Sequence, residues 1–236
     1  MSPIRNIEVC LSPELLHLYD VTGKTVVVAD ILRATSCMVT AFAHGASVIR
    51  PFADLEACRK ASAEGYETSA ERNGLKVEGF DRGNSPFEYL NGDIRGKKIA
   101  FTTTNGTQAI EKAKHADQLF IGAFLNVSEV ARRVSEAGRD ALIVCAGWKG
   151  RFNLEDTLFA GALCHRLRNH FKVEDDAVLA ALSLYHEAHQ NMFTYLEKSS
   201  HVQRLNRINL YEDMAFCLTE DNYQVVPHLQ GDHLVL

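Results

Sequence analysis

The chain has 236 residues, 46% hydrophobic and 23% charged, with a formal net charge of −5 at pH 7. Those values are ordinary for a soluble globular protein and leave no electrostatic reason to expect nucleic acid or an anionic membrane as a partner. The length suffices for one large α/β domain, or for two tightly packed α/β halves within a single 1–236 unit. Six scattered cysteines, with no CxxC pair, sit mostly among Val, Ile, Leu and Ala. That usage predicts buried free thiols in a reducing cytoplasm rather than a disulfide framework. The N-terminus lacks the apolar core of a signal peptide, and no apolar run is long enough to span a bilayer.

Short β-branched runs alternate with amphipathic segments of helical length. Thr25–Asp30 reads as a strand and Ala34–His44 as a helix stopped at Gly45. Ser47–Pro51 reads as a second strand, and Asp54 as the N-cap of a helix running to Glu64. Tyr66–Pro86, polar and glycine-bearing, reads as a long loop. Ile99–Thr103, Gln118–Ala123 and Asp140–Ala146 read as strands, with helices over Gly106–His115 and Asn126–Ala137 between them. This alternation predicts an α/β fold with a largely parallel sheet covered on both faces. After Glu155 the chain turns helical; Asp176–Glu197 reads as one long helix, followed by a helix near Leu210–Cys217 and a terminal strand near Gln224–Val226.

In such sheets, ligands bind beyond the carboxyl ends of strands. Four polar clusters follow strand-like runs: Asp30 to Thr35, Thr102 to Thr107, Ala123 to Asn126, and Gly147 to Asp156. Their convergence would make a single site. The turn Thr104-Asn105-Gly106-Thr107 is expected to take positive φ at Asn-Gly and to present N–H and hydroxyl groups at a helix N-terminus, which suits a phosphate. It also reads as a plain capped turn that binds nothing. Asp30 could ligate a divalent metal, and Arg33 could grip an oxyanion; an Asp30–Arg33 ion pair capping the helix fits the spacing equally well. Glu71, Arg72, Asp81, Arg82, Asn84 and Ser85 in the long segment suit an anion clamp or a bare surface loop. Glu155 and Asp156 open a helix, where acidic residues are commonplace. Cys145, ending a strand, reads as a structural thiol, since no phosphate-binding arginine loop follows it.

Together these stretches resemble the 2-phosphosulfolactate phosphatase family. The matching segments, in the family's order, are DILRAT (Asp30–Thr35), GFDRGNSP (Gly79–Pro86), TTTNGT (Thr102–Thr107), GAFLN (Gly122–Asn126), and VCAG followed by LEDTLFAGA. The resemblance implies a three-layer α/β/α fold with a mixed, largely parallel sheet and a helical C-terminal region. It also implies a Mg²⁺-dependent hydrolysis of (2R)-phospho-3-sulfolactate to sulfolactate and phosphate, on a route to coenzyme M. Carried onto this chain, Asp30 and Arg33 match the DxxRAT element and Arg72 the arginine of GER. Asn84 and Ser85 match GNSP; Thr104, Asn105, Gly106 and Thr107 match TNGT; Glu155 and Asp156 match LEDT. The implied roles are Mg²⁺ held by Asp30 with Glu155 or Asp156, the phosphate in the TNGT turn, and the other anionic groups on Arg33 and Arg72. The family's GER is Ala70-Glu71-Arg72 here, and its Ser-x-His-Gly is Ser199-Ser200-His201-Val202, so the pocket rim is expected to differ. Another phosphorylated 2-hydroxy acid as substrate, or a non-catalytic anion-binding module, remain the alternatives. A homodimer is a further expectation.

Overall fold

Val26, Val27 and Val28 have no exposed surface, nor do Leu142, Ile143 and Val144. Strands buried on both faces belong to the middle of a covered sheet. The computed structural model describes residues 5–236; the remaining positions of the expected 1–236 domain lie outside the described residues. The first part runs β1 (Arg5–Cys10), β2 (Thr25–Ala29), α1 (Ala34–Ala43), β3 (Val48–Pro51), α2 (Leu55–Lys60), β4 (Glu67–Arg72), β5 (Leu75–Lys76), β6 (Lys98–Thr102) and α3 (Gly106–Ala113). It continues through β7 (Gln118–Gly122), α4 (Val127–Ala137), β8 (Ala141–Cys145), α5 (Leu154–Leu167), β9 (Phe171–Lys172) and α6 (Asp176–Ala188). The chain closes with α7 (Met192–Leu196), α8 (Ser200–Asn206), α9 (Tyr211–Cys217), β10 (His228–Gln230) and β11 (His233–Val235).

One eleven-stranded sheet has the order β5-β4-β6-β3-β11-β10-β7-β2-β8-β1-β9. β4, β6 and β3 pair in parallel, as do β7, β2, β8, β1 and β9. The antiparallel hairpin β10–β11 bridges the two sets, meeting β7 at His228↔Phe120 and β3 at Leu234↔Ile49. Each of these pairings is antiparallel, so the two parallel sets run in opposite directions. The result is the expected α/β fold with a mixed, largely parallel sheet, built as two halves stitched by the chain's last strands. Helices pack on it closely. A Cβ on Gly161 of α5 would lie 2.1 Å from the Ala181 carbonyl oxygen of α6, so glycine is what lets these helices touch.

Asp54 caps α2 as expected, its carboxylate accepting from the Ala57 N–H at 2.7 Å. Several expectations are corrected. The long-loop segment contains β4 and β5, because Thr68, Ser69 and Ala70 are buried against β6. The helix expected over Asp176–Glu197 breaks after Ala188 and restarts as α7, whose N-cap Asn191 accepts from the Thr194 N–H at 3.0 Å. The terminal strand falls in β10 and β11, beyond Gln224–Val226, where the chain is irregular. β1 and α8 had no expectation. All six cysteines are free and buried, and burial raises the Cys145 thiol well above its ordinary pKa, in line with a structural role.

Candidate active site

The loops after β2, β6 and β8 meet around Asp30. Its carboxylate is buried at the N-termini of two helices. Oδ1 accepts from the Ala34 N–H of α1 at 3.4 Å. On the other side, a Cβ built on Gly106 at the start of α3 would lie 2.8 Å from Oδ2. Gly106 has no positive φ, and Asn105 sits at φ −125°, so the expected left-handed Asn-Gly turn does not form. The glycine is required for clearance. Burial pushes the Asp30 pKa up to about 7; nearby Glu71 and Glu155 also raise it, while His201 opposes them.

Glu155 and Asp156 are adjacent in sequence but face different partners. Asp156 accepts from the Ile31 N–H and the Gly147 N–H, both at 2.9 Å, so both oxygens brace the loops after β2 and β8. Burial, reinforced by Glu155 and Asp30, raises its pKa well above the usual carboxylate range. Glu155 pairs through Oε1 with Nδ1 of His201 on α8, while its Oε2 is buried with no partner.

The two arginines nominated for the substrate's anionic groups are already engaged. Arg33 forms a buried ion pair with Asp213 of α9, and its Nη2 donates to the Gly74 carbonyl at 2.7 Å. The alternative Asp30–Arg33 pair does not form. Arg72 donates to the Glu71 carbonyl at 2.6 Å and to Thr102 Oγ1 at 3.1 Å, tying β4 to β6. Glu71 in turn takes the donors expected to face a phosphate. It accepts from the Thr104 N–H at 3.2 Å, the Thr104 hydroxyl at 3.3 Å and the Gly74 N–H at 2.5 Å. Thr107 bonds back to Thr103, its hydroxyl donating to the carbonyl at 3.1 Å. Asn105 Oδ1 accepts from the Lys149 N–H at 2.9 Å, joining the turn to the loop after β8. Ser85 donates to Asp213 Oδ1 at 3.0 Å, and Asn84 leaves Oδ1 buried without a partner.

Asp30, Arg33, Asn84 and Asn105 line one cavity of about 10 Å³, together with Glu71 and His201. Trp148 forms part of the same lining, its ring 5.2 Å from that of His201. That volume is close to what a single water molecule needs. Arg72, Ser85, Thr104, Thr107, Glu155 and Asp156 support this lining without forming it. The expected cluster at Ala123–Asn126 is elsewhere; Asn126 accepts from the Ala123 N–H at 2.9 Å and donates to the Val225 carbonyl at 2.8 Å. His201, Asp213 and Trp148 were missed as site residues, and Glu71, read as part of an anion clamp or a bare surface loop, instead accepts from Thr104. The usable signal was His201 in the segment that matches Ser-x-His-Gly.

The Asp30 carboxylate and the Asn84 amide oxygen within the cavity lining, with the Glu155 carboxylate beside it, make an oxygen-rich donor set, the chemistry that hard divalent cations prefer. Two of these oxygens, Asn84 Oδ1 and Glu155 Oε2, lack any partner. The donor types are those a hard divalent cation takes, but among the described residues no group of three His, Cys, Asp or Glu side chains is drawn together at ligating spacing.

Residues 10–232 match the family described as 2-phosphosulpholactate phosphatase. The chain belongs to the 2-phosphosulfolactate phosphatase family. By family it is a phosphoric monoester hydrolase. A protein of Caldanaerobacter subterraneus subsp. tengcongensis named "Probable 2-phosphosulfolactate phosphatase" is 40% identical over 217 residues, covering 90% of each chain. The identically named protein of Thermotoga maritima is 42% identical over 214 residues, covering 90% of this chain and 92% of that one. In Gloeobacter violaceus the figure is 38% over 226 residues, covering 94% of each. Among the described residues no helix is long and apolar enough to cross a membrane.

Proposed function

We propose that the protein hydrolyses the phosphomonoester of 2-phosphosulfolactate to sulfolactate and phosphate, with Mg²⁺ as cofactor. The observation that carries this reading is the buried Asp30 carboxylate, poised at two helix N-termini beside partnerless oxygens of Asn84 and Glu155. The family match over residues 10–232 supplies the substrate class. A small anionic phosphorylated hydroxy acid also suits a cavity ringed by polar side chains.

Asp30, Asn84 and Glu155 would hold the metal, which when bound offsets the charge on the phosphoryl oxygens. Without metal the Asp30 carboxyl is pushed up to about 7 by burial, and a bound dication would hold it as the carboxylate. His201, oriented through Nδ1 by Glu155, is the candidate for protonating the leaving alkoxide from its other ring nitrogen. Glu71 holds the Thr104 turn in place, and Asp156 fixes the backbone that carries Asp30. The cavity is too small for the whole substrate, so its lining must part; His201 and Leu205, both on α8, are the lining that a short helix contributes. Buried free thiols support a reducing, cytoplasmic setting, and a place in coenzyme M formation follows from the family resemblance alone.

The test compares phosphate release from 2-phosphosulfolactate, phospholactate and phosphoglycolate, with and without Mg²⁺. Preference for the sulfonate substrate, abolished by chelation, is expected. Equal rates on all three would replace the named substrate with 2-phospho-hydroxy acids in general. Tight phosphate binding without turnover would leave an anion-binding module.

A further inference from the structure

Trp148 borders two spaces. One is the closed cavity at Asp30, and the other is an open pocket of about 500 Å³ lined also by Lys149, Arg151, Phe152, Asn153, Ser200 and Arg204. The open pocket carries three cationic side chains. Among the described residues none of them pairs with a carboxylate. Lys149 Nζ reaches Asn73 Oδ1 at 3.3 Å, and Arg204 Nη1 reaches Ser200 Oγ at 3.4 Å. Arg204 is the unusual one. Its guanidinium lies 4.6 Å from the Trp148 ring centroid, and its Nε and Nη2 are closed off from solvent with no acceptor. Burial lowers its pKa, and the nearby Glu155 carboxylate offsets this only in part. A planar fork with unfilled donors, held in place by an aromatic face, is a ready receptor for a carboxylate or sulfonate.

The saturation of the other arginines makes this pocket matter. Arg33 is neutralised by Asp213, and Arg72 is spent on Glu71 and Thr102. A substrate with anionic groups besides its phosphate needs another cationic partner next to the Asp30 cavity. We propose that the Trp148 pocket, with Arg204 as anchor and Lys149 and Arg151 flanking it, binds the sulfonate or carboxylate end of a substrate whose phosphoryl group enters the Asp30 cavity. The assignment rests on the phosphatase reading for the identity of the ligand. It does not rest on it for the pocket's affinity for organic anions.

The test uses the full chain. Calorimetric titration with 3-sulfolactate measures binding to the wild type, Arg204→Gln, Arg204→Lys and Arg151→Ala. The expected result is at least a tenfold rise in Kd for Arg204→Gln, partly recovered in Arg204→Lys. In parallel, kcat/KM for 2-phosphosulfolactate should fall at least tenfold more than kcat/KM for p-nitrophenyl phosphate, which carries no second anion. No binding by the wild type, equal Kd values in wild type and Arg204→Gln, or equal falls on both substrates would overturn the assignment. Arg204-dependent sulfolactate binding without phosphate release from any substrate would keep the pocket and remove the phosphatase reading. Should Arg204→Gln not fold, the exposed Lys149→Ala and Arg151→Ala variants carry the same comparison.

Discussion

Gly106 has no side chain because Asp30 occupies the space one would need. A Cβ there would sit 2.8 Å from Asp30 Oδ2 and 2.7 Å from the Ala34 Cβ. Two helix N-termini thereby close on one carboxylate; their N–H groups favour its charge, but burial outweighs them and leaves its pKa raised to about 7. Gly106→Ala is expected to push Asp30 out of register. The expected cost is about 1–3 kcal/mol of stability from overpacking, with kcat/KM falling ~100-fold as the carboxylate shifts. Urea denaturation and phosphate-release kinetics check both. Wild-type kinetics in Gly106→Ala would mean that Asp30 is not held by this contact.

Asp30 itself sets a pH dependence whose sign is unusual for a carboxylate. Its folded pKa is raised from 3.8 to about 7, chiefly by burial. The stability contributed by its neutral form is complete below the unfolded value and is lost as the pH rises through the folded one. Asp30→Asn removes that loss. At pH 8 without divalent metal, the variant is expected to be more stable than wild type by about 1–4 kcal/mol, at ~1.4 kcal/mol per pKa unit. It should release no phosphate. Denaturation at pH 5 and pH 8 makes the comparison, and a gap that does not widen with pH would rule out a buried, raised carboxyl.

The strand-end clusters were legible because β2, β6 and β8 are short apolar runs ending in polar residues, a pattern that burial alone imposes. What these clusters do to one another was not. Glu71 reads in sequence only as one of several charges in a polar segment and Asp213 as an ordinary surface acid, and the return of β4 beside β6 and the packing of α9 bring them to Thr104 and Arg33. The Tyr66–Pro86 segment read as loop because its strand residues Thr68 and Ser69 are polar; Asp81 satisfies Thr68, accepting from its N–H and hydroxyl at 2.8 Å. Asn105-Gly106 carried the composition of a left-handed turn, but the glycine serves clearance from Asp30. Adjacent Glu155 and Asp156 could not be told apart, since one helix position faces His201 and the next faces the Ile31 backbone.

Arg33 and Asp213 form a pair whose side chains are only 4% and 8% exposed. Removing one partner leaves a buried, uncompensated charge. Asp213→Ala is therefore expected to cost about 3–5 kcal/mol, whereas the double variant Arg33→Met, Asp213→Leu should recover much of that loss. The double variant also frees the Gly74 carbonyl and the Ser85 hydroxyl, so it is not expected to exceed wild type. Chemical denaturation of the three proteins at one pH decides it. A double variant as unstable as Asp213→Ala would show that the pair's hydrogen bonds to its surroundings dominate, rather than its charge.

His201 and Glu155 make the most direct claim on the chemistry. The imidazole joins the Asp30 cavity from α8, and the carboxylate that orients it starts α5. If His201 protonates the leaving oxygen and Glu155 acts through it, His201→Gln should lower kcat by about 10²- to 10⁴-fold. Glu155→Gln should lower it too, and the double variant should lose little beyond the larger single loss, because residues acting as a unit are strongly non-additive. Separate roles, with Glu155 serving only the metal, predict losses that multiply. An aryl phosphate with a good leaving group separates the possibilities further. It needs no proton on departure, so His201→Gln should be least damaging there, while Glu155→Gln stays costly if its free Oε2 holds the metal.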